Sequence, residues 1–319
     1  MPYKKIHQQS SERKNIYPNK LMGQNFLRDK KVLNKIIAAA NLTTKDNVLE
    51  IGPGLGVLTR ELAKRASRVV AVEKDKALAK LLTKQLTEEQ ISNVEIIEDD
   101  ILSFLRKQES RPWIPGQARD DKPSLLTNYK KVVANIPYYL TSHLIRLLLE
   151  SDDPPTDIIL MIQKEVAKRI CAKPPKMSLL SVSVQFYAEA KIIASVAKNS
   201  FWPKPKIDSA IIKITPKIPP PLQRGIKGDL KNAGKILPNP PFLKEGTANF
   251  FEVIHSGFSH PRKQLLNNLS AGLAIPRDKI AAILQSADIK PQQRAETLNV
   301  EDWIKLTKLF FYQTSDKKP

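Results

Sequence analysis

The chain changes hydrophobic rhythm several times, and the changes mark its elements. From Val32 to Ala40 apolar residues recur at helical spacing, whereas Asn47–Ile51, Arg68–Glu73 and Val94–Glu98 are short apolar runs of strand length. Helical stretches from about Val57 to Lys64 and from about Lys76 to Leu86 separate them. Strand-like Lys131–Ala134 and Asp157–Ile162 follow, with a helix over Ser142–Glu150 between them. Apolar strands alternating with helices predict a doubly wound α/β domain, a parallel sheet covered on both faces.

Two stretches break the rhythm. Arg106–Asn128 holds Pro112, Pro115, Gly116 and Pro123 among charged residues, and a compact domain seldom needs so long a connection. Pro216–Thr247 is richer still, with Pro219-Pro220-Pro221 and Pro238-Asn239-Pro240-Pro241. Residues 107–127 and 217–247 are therefore expected to be insertions or linkers at tolerated surface loops. Beyond them the pattern turns helical at Phe250–Phe258, Lys263–Ala271, Arg277–Ser286 and Val300–Phe310. The expected division is a tail over 1–20, an α/β domain over 21–216, the linker, and a small helical domain over 248–319.

Composition narrows the partners. Against 32 acidic residues stand 52 Lys and Arg, a net charge of +20 that attracts polyanions, folded RNA or DNA above all. The basic, aperiodic first 20 residues read as a disordered tail that can trail along phosphates. No apolar run approaches the roughly 18 residues of a membrane span, and the N-terminus lacks the apolar core of a secretory signal. A cytoplasmic protein is expected. The single Cys171 rules out an internal disulfide framework, and with four histidines it leaves little material for a metal site, so none is expected.

Two motifs carry the chemistry. In Val48-Leu49-Glu50-Ile51-Gly52-Pro53-Gly54-Leu55-Gly56 an apolar strand runs into a glycine turn that lets backbone approach a ligand. Such loops serve dinucleotides as well as S-adenosylmethionine. Glu73 ends the next strand, about 20 residues on, where a carboxylate can accept both ribose hydroxyls, and Asp100 ends the third, where it can accept from an adenine amino group. Each acid alone reads equally well as a solvated strand end; the three loops in order point to a nucleoside. The choice between NAD and S-adenosylmethionine turns on Asn135-Ile136-Pro137-Tyr138. An adenine amino group is a poor nucleophile because its lone pair is delocalised. Accepting its protons on the Asn135 side-chain oxygen and on a backbone carbonyl beside Pro137 favours a pyramidal nitrogen, while Tyr138 can stack on the base.

With these motifs the chain resembles the dimethyladenosine transferases of small-subunit ribosomal RNA. The resemblance spans about Lys20 to Phe310 apart from the two interruptions. It includes Gly23-Gln24-Asn25-Phe26-Leu27, Phe201-Trp202-Pro203-Lys204-Pro205-Lys206-Ile207-Asp208-Ser209 and Arg294-Ala295-Glu296-Thr297-Leu298. It implies a Rossmann-like methyltransferase domain with a helical C-terminal domain for RNA docking. It places S-adenosylmethionine against Asn25, Leu27, Gly52, Gly54, Glu73, Asp100 and Asn135. It implies a catalytic set of Asn135, Pro137, Tyr138 and Phe201, the last flanking the target base opposite the tyrosine. The implied reaction is transfer of four methyl groups to two adjacent adenosines near the 3′ end of 16S RNA, within an immature 30S particle, by a monomeric enzyme of ribosome biogenesis.

The departures concern RNA docking. Ser178 and Leu179 stand where the family usually has Gly-Arg, and Pro261 replaces an arginine next to Arg262 and Lys263. The macrolide-resistance methyltransferases of large-subunit RNA share the Gly23–Phe26, Asn135–Tyr138 and Phe201–Pro205 motifs, but Leu266-Asn267-Asn268-Leu269 and the Arg294–Leu298 ending favour the small-subunit enzymes. A non-catalytic assembly factor on the same fold would show erosion of the glycine loop or of the Asn135 motif, and neither is eroded.

Overall fold

A computed structural model describes residues 18, 23–109, 129–151, 153–217 and 245–312. The N-terminal tail apart from Pro18, and most of both proline-rich interruptions, lie outside the described residues.

Nine strands occur among these residues: β1 (Phe26–Leu27), β2 (Asn47–Ile51), β3 (Arg68–Glu73), β4 (Val94–Glu98), β5 (Lys131–Asn135), β6 (Asp157–Gln163), β7 (Ala188–Val196), β8 (Phe201–Trp202) and β9 (Ser209–Pro216). Seven form one sheet in the order β4-β3-β2-β5-β6-β9-β7, and β1 pairs with β8 separately. The strands β4, β3, β2, β5 and β6 are parallel, as the alternation of short, mostly apolar strands with helices predicts. Strand β9 is antiparallel to both β6 and β7, so the sheet is mixed rather than wholly parallel.

The helices are α1 (Lys30–Ala40), α2 (Val57–Ala63), α3 (Lys76–Glu88), α4 (Ile101–Glu109), α5 (Thr141–Glu150), α6 (Lys164–Ile170), α7 (Leu179–Tyr187), α8 (Glu245–Gly257), α9 (Leu265–Leu273), α10 (Arg277–Ser286) and α11 (Val300–Tyr312). Helix α4 extends past Arg106 and α8 begins at Glu245, so both interruptions are shorter than the proline content implies. Aspartates cap several of the helices that follow strands or turns. Asp29 accepts from Lys31 N–H, and Asp75 accepts from Ala77 and Leu78 N–H, pairing donors that a helix start leaves open.

One side of the sheet packs Leu49, Val70, Val132 and Ile158 against α4 and α5; the other packs Val48, Val69 and Val133 against α1 and α2. A third core is centred on the fully buried Trp303, Phe250 and Leu265 of the C-terminal helices. Helix α7 belongs to two cores: Val184 faces the sheet, whereas Val182 and Phe186 join the C-terminal cluster, where Phe186 stacks on Phe250 at 4.1 Å. A backbone bond from Met177 N–H to the Glu296 carbonyl, 3.0 Å, ties the two regions at the Arg294–Leu298 motif. Ser178 is the N-cap of α7 and forms a reciprocal capping box with Ser181, so the residue that departs from the family pattern has a local structural task.

Candidate active site

The parallel topology gathers the candidate residues at one end of the sheet. Gly52, Glu73, Asp100 and Asn135 stand at or just beyond the C-terminal ends of β2, β3, β4 and β5, and the strand order reverses between β2 and β5. Ligands of open α/β sheets bind at that reversal. All ten sequence-predicted site residues, from Asn25 and Leu27 through Gly52, Gly54, Glu73, Asp100, Asn135, Pro137 and Tyr138 to Phe201, line a single pocket there.

The glycine loop is shaped for a ligand. Gly52 has φ +67°, and a side chain built on it would meet nothing nearer than the Asn135 carbonyl at 4.0 Å, so the space above it is open to the pocket. Gly54 has φ +56°, and a Cβ there would press on the Phe26 ring at 3.0 Å. Its N–H donates to Glu73 Oε2 at 3.0 Å, while Asp75 N–H donates to Oε1 at 2.9 Å. Glu73 is thereby aimed, and its carboxylate keeps accepting capacity for a hydroxyl. Burial raises its pKa, with the backbone donors partly offsetting the effect.

Asp100 is less free than its sequence position suggests. Oδ1 caps α4 by accepting from Leu102 N–H at 2.9 Å, and Lys74 Nζ lies 2.8 Å from Oδ2. Burial works against the carboxylate, but Lys74 and the helix N–H groups outweigh it and lower the pKa.

The segment Gly23–Leu27 lines the pocket on the β1 side. Gln24 Nε2 donates to Asp75 Oδ2 at 2.9 Å, and Asn135 Nδ2 donates to the Asn25 carbonyl at 3.1 Å. The second bond orients the Asn135 amide, because a carbonyl can only accept; the side-chain oxygen therefore points away from Asn25. Pro137 ends β5's extension and starts a 3-10 turn over Tyr138–Leu140, in which the Pro137 carbonyl accepts from Leu140 N–H at 3.1 Å. The Ile136 carbonyl is then the backbone acceptor beside Asn135. Tyr138 shares a hydrogen with Ser209 Oγ at 2.8 Å, which fixes its ring, and burial raises its pKa. Phe201, 5% exposed, forms part of the wall through β8.

Sequence reasoning passed over Glu50. It is 1% exposed at the pocket floor, Oε2 has no hydrogen-bond partner, and its carboxyl is pushed up to about 8 by burial. Thr59 is the strongest opposing influence and Glu73 adds to the rise, although Thr59 Oγ1 makes no hydrogen bond of ordinary geometry. Its signal was a lone acid between apolar residues in a buried strand. Lys74 and the exposed Tyr139 also line the pocket and carried no comparable signal. Arg262 and Lys263 lie in the exposed turn between α8 and α9, away from this pocket's lining. Cys171 follows α6 half-buried, its thiol pKa raised by burial. Among the described residues no cluster of metal-ligating side chains occurs, and no helix is long and apolar enough to cross a membrane.

Comparisons with known proteins identify the family. Residues 17–227 match the family model described as ribosomal RNA adenine dimethylase. A ribosomal RNA small subunit methyltransferase A of Dehalococcoides mccartyi is 40% identical over 287 residues, 89% of this chain and 86% of that protein. The protein of the same name from Clostridioides difficile is 34% identical over 94% of this chain and 93% of its own length. Among solved structures, a dimethyladenosine transferase from Plasmodium falciparum superposes with a TM-score of 0.66 at 25% identity, covering 88% of this chain and 95% of its own. The 23S rRNA methyltransferase ErmE superposes with a TM-score of 0.62 at 26% identity, covering 89% and 99%. A mixed sheet with this site, carried on a chain matched over most of its length, makes the protein a member of the ribosomal RNA adenine dimethylase family.

Proposed function

We propose that the protein dimethylates the exocyclic amino groups of two adjacent adenosines near the 3′ end of small-subunit ribosomal RNA, using S-adenosylmethionine. The observation that carries the reading is the orientation of Asn135, whose amide hydrogen is committed to Asn25 and whose oxygen is left for a substrate donor. The pocket fits the cofactor: the open space over Gly52 and the aimed carboxylate of Glu73 lie together around it. Glu73 would hold the ribose hydroxyls, Asp100 the adenine edge, and Asn25, Leu27 and Gly54 the remaining walls. When bound, the cofactor supplies a methyl group on a sulfonium, already an excellent leaving group.

The protein's part is then alignment. Asn135 Oδ1 and the Ile136 carbonyl accept the two amino hydrogens of the target base and turn its lone pair toward the methyl group. Tyr138, locked by Ser209, stacks on the extruded ring, with Phe201 on the far side. The extra proton leaves the alkylated nitrogen for water, since methylation makes that nitrogen cationic and strongly acidic. The same geometry admits a second methylation, because Asn135 needs only one remaining hydrogen to hold the nitrogen. The small-subunit target is supported by the names of the 34–40% identical relatives and by Arg294–Leu298 at the junction of the two regions. The immature 30S particle as substrate and a monomeric enzyme belong to the same proposal.

The test is incubation with unmethylated small subunits and labelled cofactor, followed by nuclease digestion and nucleoside chromatography. Label in N6,N6-dimethyladenosine is expected. Label absent from adenosine derivatives, or stopping at a single methyl group, would overturn the reading.

A further inference from the structure

The short β1–β8 ladder does more than wall the pocket. Adjacent residues of a strand point to opposite faces, so the inward turn of Phe201 sends Trp202 outward. Trp202 is 38% exposed, one of the few large apolar side chains on the described surface. It pairs across the ladder with Phe26, whose ring stacks on the indole at 6.3 Å, and the Arg28 guanidinium lies 4.8 Å from the indole centroid. Phe26 itself lines the pocket. An aromatic ring and a planar cation are therefore built into one rigid platform at the rim of the site.

The charge around this platform is positive and unspent. Lys30 lies two residues beyond Arg28, and Lys198, Lys204 and Lys206 lie within four residues of Trp202 in the chain; these four lysines make no ion pair among the described residues. Two aspartates stand among these cations and are outnumbered by them. Asp29 caps α1 and accepts from Ser200 Oγ at 3.0 Å, while Asp208 accepts from Lys198 N–H at 3.1 Å. Exposed aromatic surface beside unpaired cations fits a single-stranded nucleic acid, whose bases stack and whose phosphates pair, better than an apolar protein surface.

We propose that Trp202 and Arg28 form a binding platform for the nucleotide flanking the adenosine held by Asn135 and Tyr138. The indole supplies stacking surface and the guanidinium meets the adjoining phosphate. This rests on the ribosomal RNA reading and adds to it a second base-binding position that keeps the strand unstacked while the target base is extruded.

The test compares full-length wild type, Trp202→Ala, Trp202→Phe and Arg28→Met on unmethylated small subunits. Trp202→Ala should raise KM for the subunits about tenfold, the order expected for one stacked base, with kcat changed much less. Trp202→Phe keeps a ring and should stay within about threefold of wild type. Arg28→Met should raise KM and flatten its dependence on salt. Affinity for S-adenosylhomocysteine, measured by calorimetry, should be the same in all four proteins. A subunit KM unmoved by Trp202→Ala, or an equal loss of S-adenosylhomocysteine affinity, would overturn the platform and leave the methyltransferase reading intact. A wild type inert on small subunits would overturn both.

Discussion

Asn135 donates its amide hydrogen to the backbone carbonyl of Asn25, 3.1 Å away, across 110 residues of sequence. That bond couples the Gly23–Leu27 segment of the pocket wall to the residue that would hold the reacting amine. It also decides which end of the amide faces the substrate.

Replacing Asn135 by Ala should therefore act on the chemical step. The interaction with the amine strengthens as the nitrogen becomes pyramidal, so its loss should lower the single-turnover rate on small subunits by about 10²–10³. Affinity for S-adenosylhomocysteine should change little, because Gln24 still ties the Gly23–Leu27 segment to Asp75. Rapid-quench methyl transfer and calorimetry on the same variant check both halves.

Much of this was legible in the chain because the parallel strands are short and mostly apolar and their C-terminal ends must converge. Gly52, Glu73, Asp100 and Asn135 needed only the strand order to meet. The antiparallel edge was not legible: β7 exposes Lys191, Ile192 and Ile193, so its pattern lacks a clean buried alternation, and β8 is two residues long. Helix α7 was equally hidden, since a helix buried between two cores loses the amphipathic period that reveals a surface helix. The Asn135–Asn25 bond depends on a backbone carbonyl, which no residue pattern specifies.

Glu73 should carry both affinity and loop order. Glu73→Ala removes the acceptor of Gly54 and Asp75 N–H, leaving buried donors that cost about 1–3 kcal/mol of stability. S-adenosylhomocysteine affinity should fall at least tenfold, as expected when a charged hydrogen-bonding partner of the ribose is lost. Denaturant unfolding together with calorimetry separates the two effects.

Glu50 makes stability depend on pH. Its folded pKa of about 8 lies above the ordinary 4.5, so the folded protein holds this proton while the unfolded chain releases it. Its contribution is complete below about pH 4.5 and is lost as pH rises through about 8, at most on the order of a few kcal/mol. Glu50→Gln should retain the neutral form's packing without that loss. Melting curves from pH 6 to 9 should fall more steeply for wild type than for the variant, and parallel curves would show that the carboxyl is ionised in the fold.

Ser178 occupies a departure from the family pattern and caps α7. Ser178→Ala should cost about 1 kcal/mol through loss of the capping box, while methyl transfer at saturating subunits stays near wild type. Urea unfolding and a methylation assay test the pair of expectations. A large activity loss with stability unchanged would move Ser178 from helix capping to RNA contact.

The target adenosines give the most direct test of the whole account. Two methyl groups on an adenine amino nitrogen remove both of its hydrogens and block reverse transcription. Primer extension on ribosomal RNA from cells lacking this gene, with and without its restoration, should show stops at two adjacent adenosines near the 3′ end of small-subunit RNA only in the restored cells. Stops that arise instead in large-subunit RNA, or identical patterns in both strains, would contradict it.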